Sequence, residues 1–447
     1  MASLITYGNP DAPMSPTLDQ RADALIRHSF YEATTPRAAL DDPMLADTLD
    51  VDVCVIGAGF AGLSVALECR ARGLTVAVLD AHRAGWGASG RNGGQMIVGF
   101  AKDEVLDQQL GADGARAAWA LSVEGVKLVR ERIERYGIDC DLTHGYLTVA
   151  TKARRVPDLR GWMDAVTTRW GYPQLQWLER EAMRGRVASE RYLAGVYDPL
   201  SGHLHPLKYC LGLAQAARNE GAQLFADSQV VEVVRGPQPL VRTRNGAVRC
   251  RFVVACGNAT IGDVLPAAVA ARVAPIASYI IATEPLGKAR ADALIAGREA
   301  VCDNNFFLDY FRLSADHRML FGGRATSSSA PPAQISGQIR QRMLTVFPQL
   351  ADARVEYSWG GFVDVTRNRA PDFGAIDPNY FYAQGFSGHG VALTGIAGRV
   401  IAQAIAGERT AFDLFAQLRH ARFPGGAMWR APALELGMLY HRLRECL

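Results

Sequence analysis

The chain has 447 residues, enough for two domains, with 49% apolar and 21% charged residues, which excludes disorder and a fibrous repeat. Its 48 Lys and Arg exceed its 45 Asp and Glu by only three, and no stretch concentrates them as a nucleic-acid surface requires. No apolar run approaches the roughly 18 residues of a membrane span.

The polar, acidic first 25 residues carry no signal-peptide pattern. The first predicted elements run from Val51 to Asp80. Val51–Ile56 reads as a strand, Gly57-Ala-Gly-Phe-Ala-Gly62 as a glycine turn, the following alanine-rich stretch to Arg72 as a helix, and Thr75–Leu79 as a second strand ending in an acid. Each position has a physical reason. Gly57 permits the tight turn, Gly59 lets backbone approach a pyrophosphate, and Gly62 lets helix and strand pack closely. The amides of Ala58, Phe60 and Ala61 then open a helix start suited to an anion. Asp80, followed by Ala81, is placed to accept hydrogen bonds from a ribose hydroxyl. The unit binds a dinucleotide but does not by itself separate FAD from NAD.

The next stretch, Gly85-Trp-Gly-Ala-Ser-Gly-Arg-Asn-Gly-Gly-Gln95, is too rich in glycine for a helix or a regular strand. A flavin held in an extended pose needs such a backbone lining, so Ser89, Gly90, Arg91, Asn92, Gly93, Gly94 and Gln95 are candidate cofactor contacts, with Asn92 a candidate catalytic group as well. Gln109–Tyr136 then has a helical apolar stripe and Gly145–Ala150 reads as a strand. A helix is expected over Leu207–Asn219, and strands over Gln229–Val234, Leu240–Arg244 and Arg251–Ala255. The last of these ends at Cys256-Gly257, a turn suited to the edge of a nucleotide site.

Strands are expected at Val273–Thr283, Phe306–Leu313 and Arg318–Gly323. In the second, a period of two places Leu308, Tyr310 and Arg312 on one face. Tyr310 would wall a pocket and Arg312 would hold a distal carboxylate. Trp359-Gly-Gly-Phe362 reads as an aromatic-glycine crossing, with Gly361 near the cofactor. Finally Tyr380–Gln384 is a strand, and Gly385-Phe-Ser-Gly-His-Gly390 leads through Val391 into a helix to about Ala406. That helix start, with Gly388, His389, Gly390 and Val391, would face the electron-rich edge of a reduced flavin. His389 is the candidate proton-transfer residue.

The pattern predicts a discontinuous α/β nucleotide-binding domain (51–100, 201–272 and 357–410) interleaved with an α+β, sheet-based substrate domain (101–200 and 273–356). Residues 1–50 and 411–447 form extensions, the apolar segment 427–440 being read as a docked helix. His203 and His205 alternate on one face but lack a third ligand, so no metal site is expected. The eight cysteines sit far apart without a CxxC pair, which predicts buried free thiols in a reducing cytoplasm. No nucleophile elbow, Walker lysine or HExxH occurs.

In their order along the chain, the two glycine turns, Asp80, the segment Gly87–Gln95, Asp309-Tyr-Phe-Arg312 through Leu320-Phe-Gly-Gly-Arg324, Trp359-Gly-Gly361 with Thr366, and Asn368-Arg-Ala-Pro371 resemble the D-amino-acid-oxidase-like FAD oxidoreductases. Ser29-Phe-Tyr31 and Phe423-Pro-Gly-Gly426 are similar to the gamma-glutamylputrescine oxidoreductase subgroup. The resemblance implies a Rossmann-like FAD domain of the D-amino-acid-oxidase/glutathione-reductase type, with FAD between the two domains. It implies oxidation of a gamma-glutamyl-capped diamine to an aldehyde in putrescine breakdown, with O2 as acceptor and release of NH3 and H2O2. Val230 would be the adenine-side backbone contact. Trp359–Phe362 holds no cysteine to tether the flavin, so FAD is expected to be non-covalent; no lysine can be matched to the one that promotes oxygen reaction in sarcosine-type relatives. The competing substrates are an amino acid or secondary amine such as glycine or sarcosine, which would need a cation beside the flavin, and a dehydrogenase passing electrons to a membrane carrier is a third reading. Neither stable membrane insertion nor a nucleic-acid partner is expected; oligomeric state stays open.

Overall fold

A computed structural model describes residues 18–424, except 27, 38–41, 262–263 and 327–329, and except the side chains of 259 and 324–326. Two sheets organise them. In the first, strands 372–377, 380–384, 247–255, 48–56, 76–79 and 223–225 lie side by side, with 232–234 and 240–242 joined at 247–255. Strands 380–384, 247–255, 48–56, 76–79 and 223–225 run parallel, while 372–377 is antiparallel.

Parallel strands need both faces covered, and alternation delivers this. Val53, Val55, Val76 and Val78 face helices Phe60–Arg70, Pro206–Asn219 and Gly390–Ile405, whereas Cys54, Ile56, Ala77 and Leu79 belong to a separate core cluster that includes Val241 and Val248. Helices 60–70 and 390–405 approach closely because a Cβ at Gly398 would lie 2.4 Å from Ser64 Oγ, and the Ser64 hydroxyl donates to Gly395 O at 2.8 Å.

The second sheet has the order 355–366, 273–283, 319–326, 310–313, 300–303, 143–150, 194–203 and 95–96, with 176–179 paired to 194–203. It is antiparallel except between 300–303 and 143–150. Along strand 273–283, Ala277, Tyr279 and Ile281 enter a core completed by helix 332–346, while Ile276, Ser278 and Ile280 face a cleft.

Several predicted elements differ from those observed. The helix spans Glu104–Arg135 but breaks at Gly111, where φ is 70° and ψ 178°. The strand expected at 306–313 is reduced to Tyr310–Leu313, and that expected at 229–234 to Glu232–Val234. The boundaries drawn at 200/201 and 356/357 fall inside strands 194–203 and 355–366. Helix 104–135, allotted to the substrate unit, packs on the first sheet's helices: Arg132 donates to Ser64 Oγ at 2.8 Å, and Gly125 lies against Ala392. Part of the N-terminal extension is built into the cores, with Ala22 and Leu25 in one and Phe30 and Tyr31 in the other. The expected helix at 427–440 lies outside the described residues. No single helix among the described residues is long and apolar enough to cross a membrane. The seven described cysteines are unpaired and buried.

Candidate active site

A cleft of about 1130 Å³ lies between the two sheets, larger than the roughly 300–1,000 Å³ usual for small-ligand pockets. Both glycine turns open into it. At the first, Gly57 has φ +109°, and a Cβ there would lie 2.8 Å from Cys256 O; a Cβ at Gly62 would lie 1.8 Å from Gly57 O. Only glycine lets strand 48–56 hand over to helix 60–70 at this spacing. The Gly59 cap carries no side-chain acceptor of its own; instead Phe60 N–H donates to Ser89 Oγ at 2.9 Å, bringing the loop after Asp80 across the helix start. Asp80 accepts from Ala58 N–H at 2.6 Å and His82 N–H at 2.9 Å, and its carbonyl accepts from Ser228 N–H, which sets residues 229–231 beside it. Burial raises the Asp80 carboxyl, with the two amide bonds opposing.

The second turn is held from below. Gly385 N–H donates to Asp364 Oδ2 at 2.6 Å, and Thr366 N–H donates to Ser387 Oγ at 3.3 Å. Burial moves Asp364 up to about 6. Gly385, Ser387 and Gly388 all have positive φ, and helix 390–405 begins after His389 with no side-chain cap, leaving its first amides free for a ligand. Burial takes His389 down to about 4. The ring is therefore neutral at pH 7, the form that can accept a proton or a hydrogen bond.

Of the other sequence-predicted residues, Phe60, Ala61, Ala81, Asn92, Gly93, Gln95, Arg91, Val230, Cys256, Gly257, Gly361, Gly390 and Val391 line the cleft, and Tyr310 lies on its floor. Ala58, Gly62, Gly90 and Gly94 do not line it and act by packing; a Cβ at Gly94 would lie 2.0 Å from Leu204 O. Asn92 is corrected from a catalytic to a bracing role, because its amide donates to Ala88 O and Ser89 O and accepts from Gly94 N–H. Arg312 is also corrected. It is 3% exposed, away from the cleft, and donates to Gly93 O, Leu313 O, Tyr31 Oη and Leu204 O, so no N–H fork is presented to a substrate. Period-two alternation misleads there because the strand is only four residues long and Leu308 lies outside it. Arg91 ties the loop to the N-terminal helix through Ala22 O at 2.7 Å and stacks on Trp86, while its Nη2 has no partner among the described residues.

His205 caps helix 206–219 by accepting from Lys208 N–H, and His203 contacts Arg298 O, so both rings are engaged in structure. Sequence reasoning missed Tyr146, Ser278, Cys302, Asp364 and Arg369. A serine inside the apolar alternation Ile276, Ser278, Ile280 was the readable signal; the others come from separate strands and a turn that only the tertiary fold unites. Tyr310 Oη lies 3.2 Å from Ser278 Oγ, and the Tyr310 ring occupies the space above Gly322, where a Cβ would lie 2.1 Å from it. Burial raises the Tyr310 and Tyr146 phenols, keeping both protonated.

A two-sheet chain with a dinucleotide turn at one end of an interdomain cleft and a second helix start at the other is a flavin-dependent enzyme of the doubly wound type. The model of the family described as FAD dependent oxidoreductase (DAO) matches residues 52–404, and the chain belongs to this family. It is 43% identical over 411 residues to a probable oxidoreductase of Haemophilus influenzae, covering 90% of this chain and 94% of the other. It is 39% identical over 418 residues to the gamma-glutamylputrescine oxidoreductase of Escherichia coli, covering 93% and 98%. Among solved structures, glycine oxidase from Geobacillus kaustophilus superposes with a TM-score of 0.70 at 22% identity, covering 83% of this chain and all of that one, a likeness of fold. The cofactor is FAD, and the residues fit it: glycines clear the approach to helix 60–70, and uncapped amides stand at helix 390–405.

Proposed function

We propose that this enzyme oxidises the primary amine of gamma-glutamylputrescine or a similar aliphatic amine to the imine, which hydrolyses to the aldehyde and NH3, with O2 as acceptor giving H2O2. Bound FAD, held without a covalent tether, supplies the electron-accepting chemistry. The gamma-glutamylputrescine oxidoreductase relative supports the substrate class.

The observation that carries the reading is the character of the cleft floor. Tyr310, Tyr146, Cys302, Ser278, Ile276 and Ile280 are uncharged at neutral pH, so an amine meets hydroxyl groups and apolar surface there rather than a cation that would grip an α-carboxylate. Arg312, one of the two arginines (with Arg324) that an amino-acid substrate could have used beside the flavin, is committed to backbone carbonyls. Tyr310 and Ser278 supply hydroxyls to orient the amine, and the aromatic walls exclude water. Unpaired, buried cysteines support a cytoplasmic setting.

The test is turnover of a matched panel by the FAD-loaded enzyme, with aldehyde, ammonia and peroxide measured together. Gamma-glutamylputrescine should outpace free putrescine, and all three products should appear in equal amounts. Preferred turnover of glycine, sarcosine or D-alanine would overturn the reading, and aldehyde without peroxide would move the acceptor away from O2.

A further inference from the structure

Among the described residues, Arg369 is a half-buried cleft cation with neither an ion pair nor a side-chain hydrogen bond. Arg369 follows strand 355–366 in a turn closed by its own amide on Thr366 O at 3.2 Å, with a left-handed φ of 66°. Its side chain lines the cleft, half-buried, with the guanidinium 6.0 Å from the centre of the Phe306 ring. Burial lowers its guanidinium below the ordinary value with no carboxylate opposing the effect.

Among the other charged groups lining the cleft, Arg91 is almost fully buried and donates to Trp86 O and Ala22 O, with Nη2 alone left over. His82 pairs with Asp19, Asp80 and Asp364 accept backbone amides, Arg367 donates to Arg422 O, and Arg244 is exposed, on the Val230 side. A partly desolvated charge left unpaired is costly, and the cost is recovered when a ligand brings the counter-ion. The surroundings suit such a ligand: Phe306 and Leu308 are large apolar side chains, 36% and 43% exposed, and form a rim against which an alkyl chain can lie.

We propose that Arg369, with Phe306 packed on it, is the distal carboxylate subsite of this enzyme, taking the α-carboxylate at the gamma-glutamyl end of the substrate while the amine end lies at Tyr310 and Ser278. The proposal rests on the proposed function. It explains how a floor without a cation among its described residues still selects an anionic-ended amine: the guanidinium fork binds both carboxylate oxygens away from the reacting carbon, and this remote contact fixes the chain. Because the contact is the same before and during reaction, it acts on KM and leaves kcat largely unchanged.

The experiment uses the FAD-loaded enzyme with gamma-glutamylputrescine and its α-carboxamide, in the wild type, Arg369→Met and Arg369→Lys. The wild type should favour the carboxylate by about 10- to 100-fold in kcat/KM, mostly through KM. Arg369→Met should abolish that preference by raising KM for the carboxylate alone, with saturated turnover kept, and Arg369→Lys should restore part of it. Equal treatment of the two compounds by the wild type, or an equal loss on both in Arg369→Met, overturns the subsite. The wild-type comparison decides even if a variant does not fold. If the wild type oxidises neither compound, the amine reading fails separately; the subsite is then read from the flavin absorbance change on titration with glutarate, which must occur in the wild type, be lost in Arg369→Met and be weakened in Arg369→Lys.

Discussion

Replacing Gly62 by alanine adds one methyl group at the point where helix 60–70 crosses strand 48–56. The new Cβ would lie 1.8 Å from Gly57 O, 3.0 Å from Gly57 C and 3.1 Å from Val55 Cγ1. Two of these three neighbours are backbone, so no rotamer change relieves the contact; the helix must retreat, and with it the glycine turn that lines the cleft. Overpacking of a well-filled site costs about 1–3 kcal/mol, and a contact this short against main chain belongs at the upper end, ~3 kcal/mol. Gly161, inside helix 156–168 with nothing within 4 Å of where an alanine methyl would stand, is the control: Gly161→Ala should stabilise by roughly 0.5–1 kcal/mol. Thermal unfolding with and without added FAD, and FAD retained through gel filtration, measure both effects. Gly62→Ala should lose FAD and most of the FAD-dependent stabilisation, while Gly161→Ala keeps both. Tight FAD binding by Gly62→Ala would refute the role assigned to this crossing.

Asp80→Asn should weaken FAD binding by about 10- to 100-fold, since an amide nitrogen must then face Ala58 N–H or His82 N–H; FAD titration of the apoprotein reads this directly. Arg312→Met should cost about 3 kcal/mol in chemical denaturation, leaving Gly93 O and Leu204 O without their donor, and should not discriminate between carboxylate-bearing and carboxylate-free amines; a loss confined to the former would restore Arg312 as a substrate contact. Stability should also depend on pH through two histidines. Burial, with Arg312 nearby, holds His203 and His205 down to about 3, so between pH 6.5 and 3 the unfolded chain takes up protons that the folded one refuses. Their contribution is full above pH 6.5 and is lost as pH falls, up to about 5 kcal/mol each. Asp103, Asp303 and Asp364, raised by burial to about 7, 6 and 6, act oppositely, their burial cost easing as pH falls. The difference between wild type and His205→Asn cancels the carboxylates: the variant should lose less stability between pH 7 and pH 5, and parallel curves would contradict the assignment.

The nucleotide turn was legible because its signals are local. Gly57, Gly59, Gly62 and Asp80 sit within one strand-turn-helix-strand unit, and spacing alone dictates their geometry. The second turn was legible for the same reason, although Asp364, which holds it, lies on a strand of the other sheet and gave no local signal. Arg312 was misread because period-two alternation says which face a side chain takes, not whether carbonyls from Gly93 and Leu204 already wait there. Asn92 shows the same limit: a polar residue in a glycine loop serves the turn or the ligand, and only the hydrogen bonds to Ala88 and Ser89 decide. Arg369 was passed over because nothing in its neighbourhood marks a charge that lacks a partner; that property belongs to the packed molecule.

The most direct test of the account is the reductive half-reaction: loss of the oxidised flavin's visible absorbance on rapid anaerobic mixing with gamma-glutamylputrescine, free putrescine, sarcosine, glycine and D-alanine. The account predicts fast bleaching by gamma-glutamylputrescine, slow bleaching by putrescine, and none by the amino acids at matched concentration. Fast bleaching by an amino acid, with gamma-glutamylputrescine inert, would contradict it and leave the family, the fold and FAD as what stands.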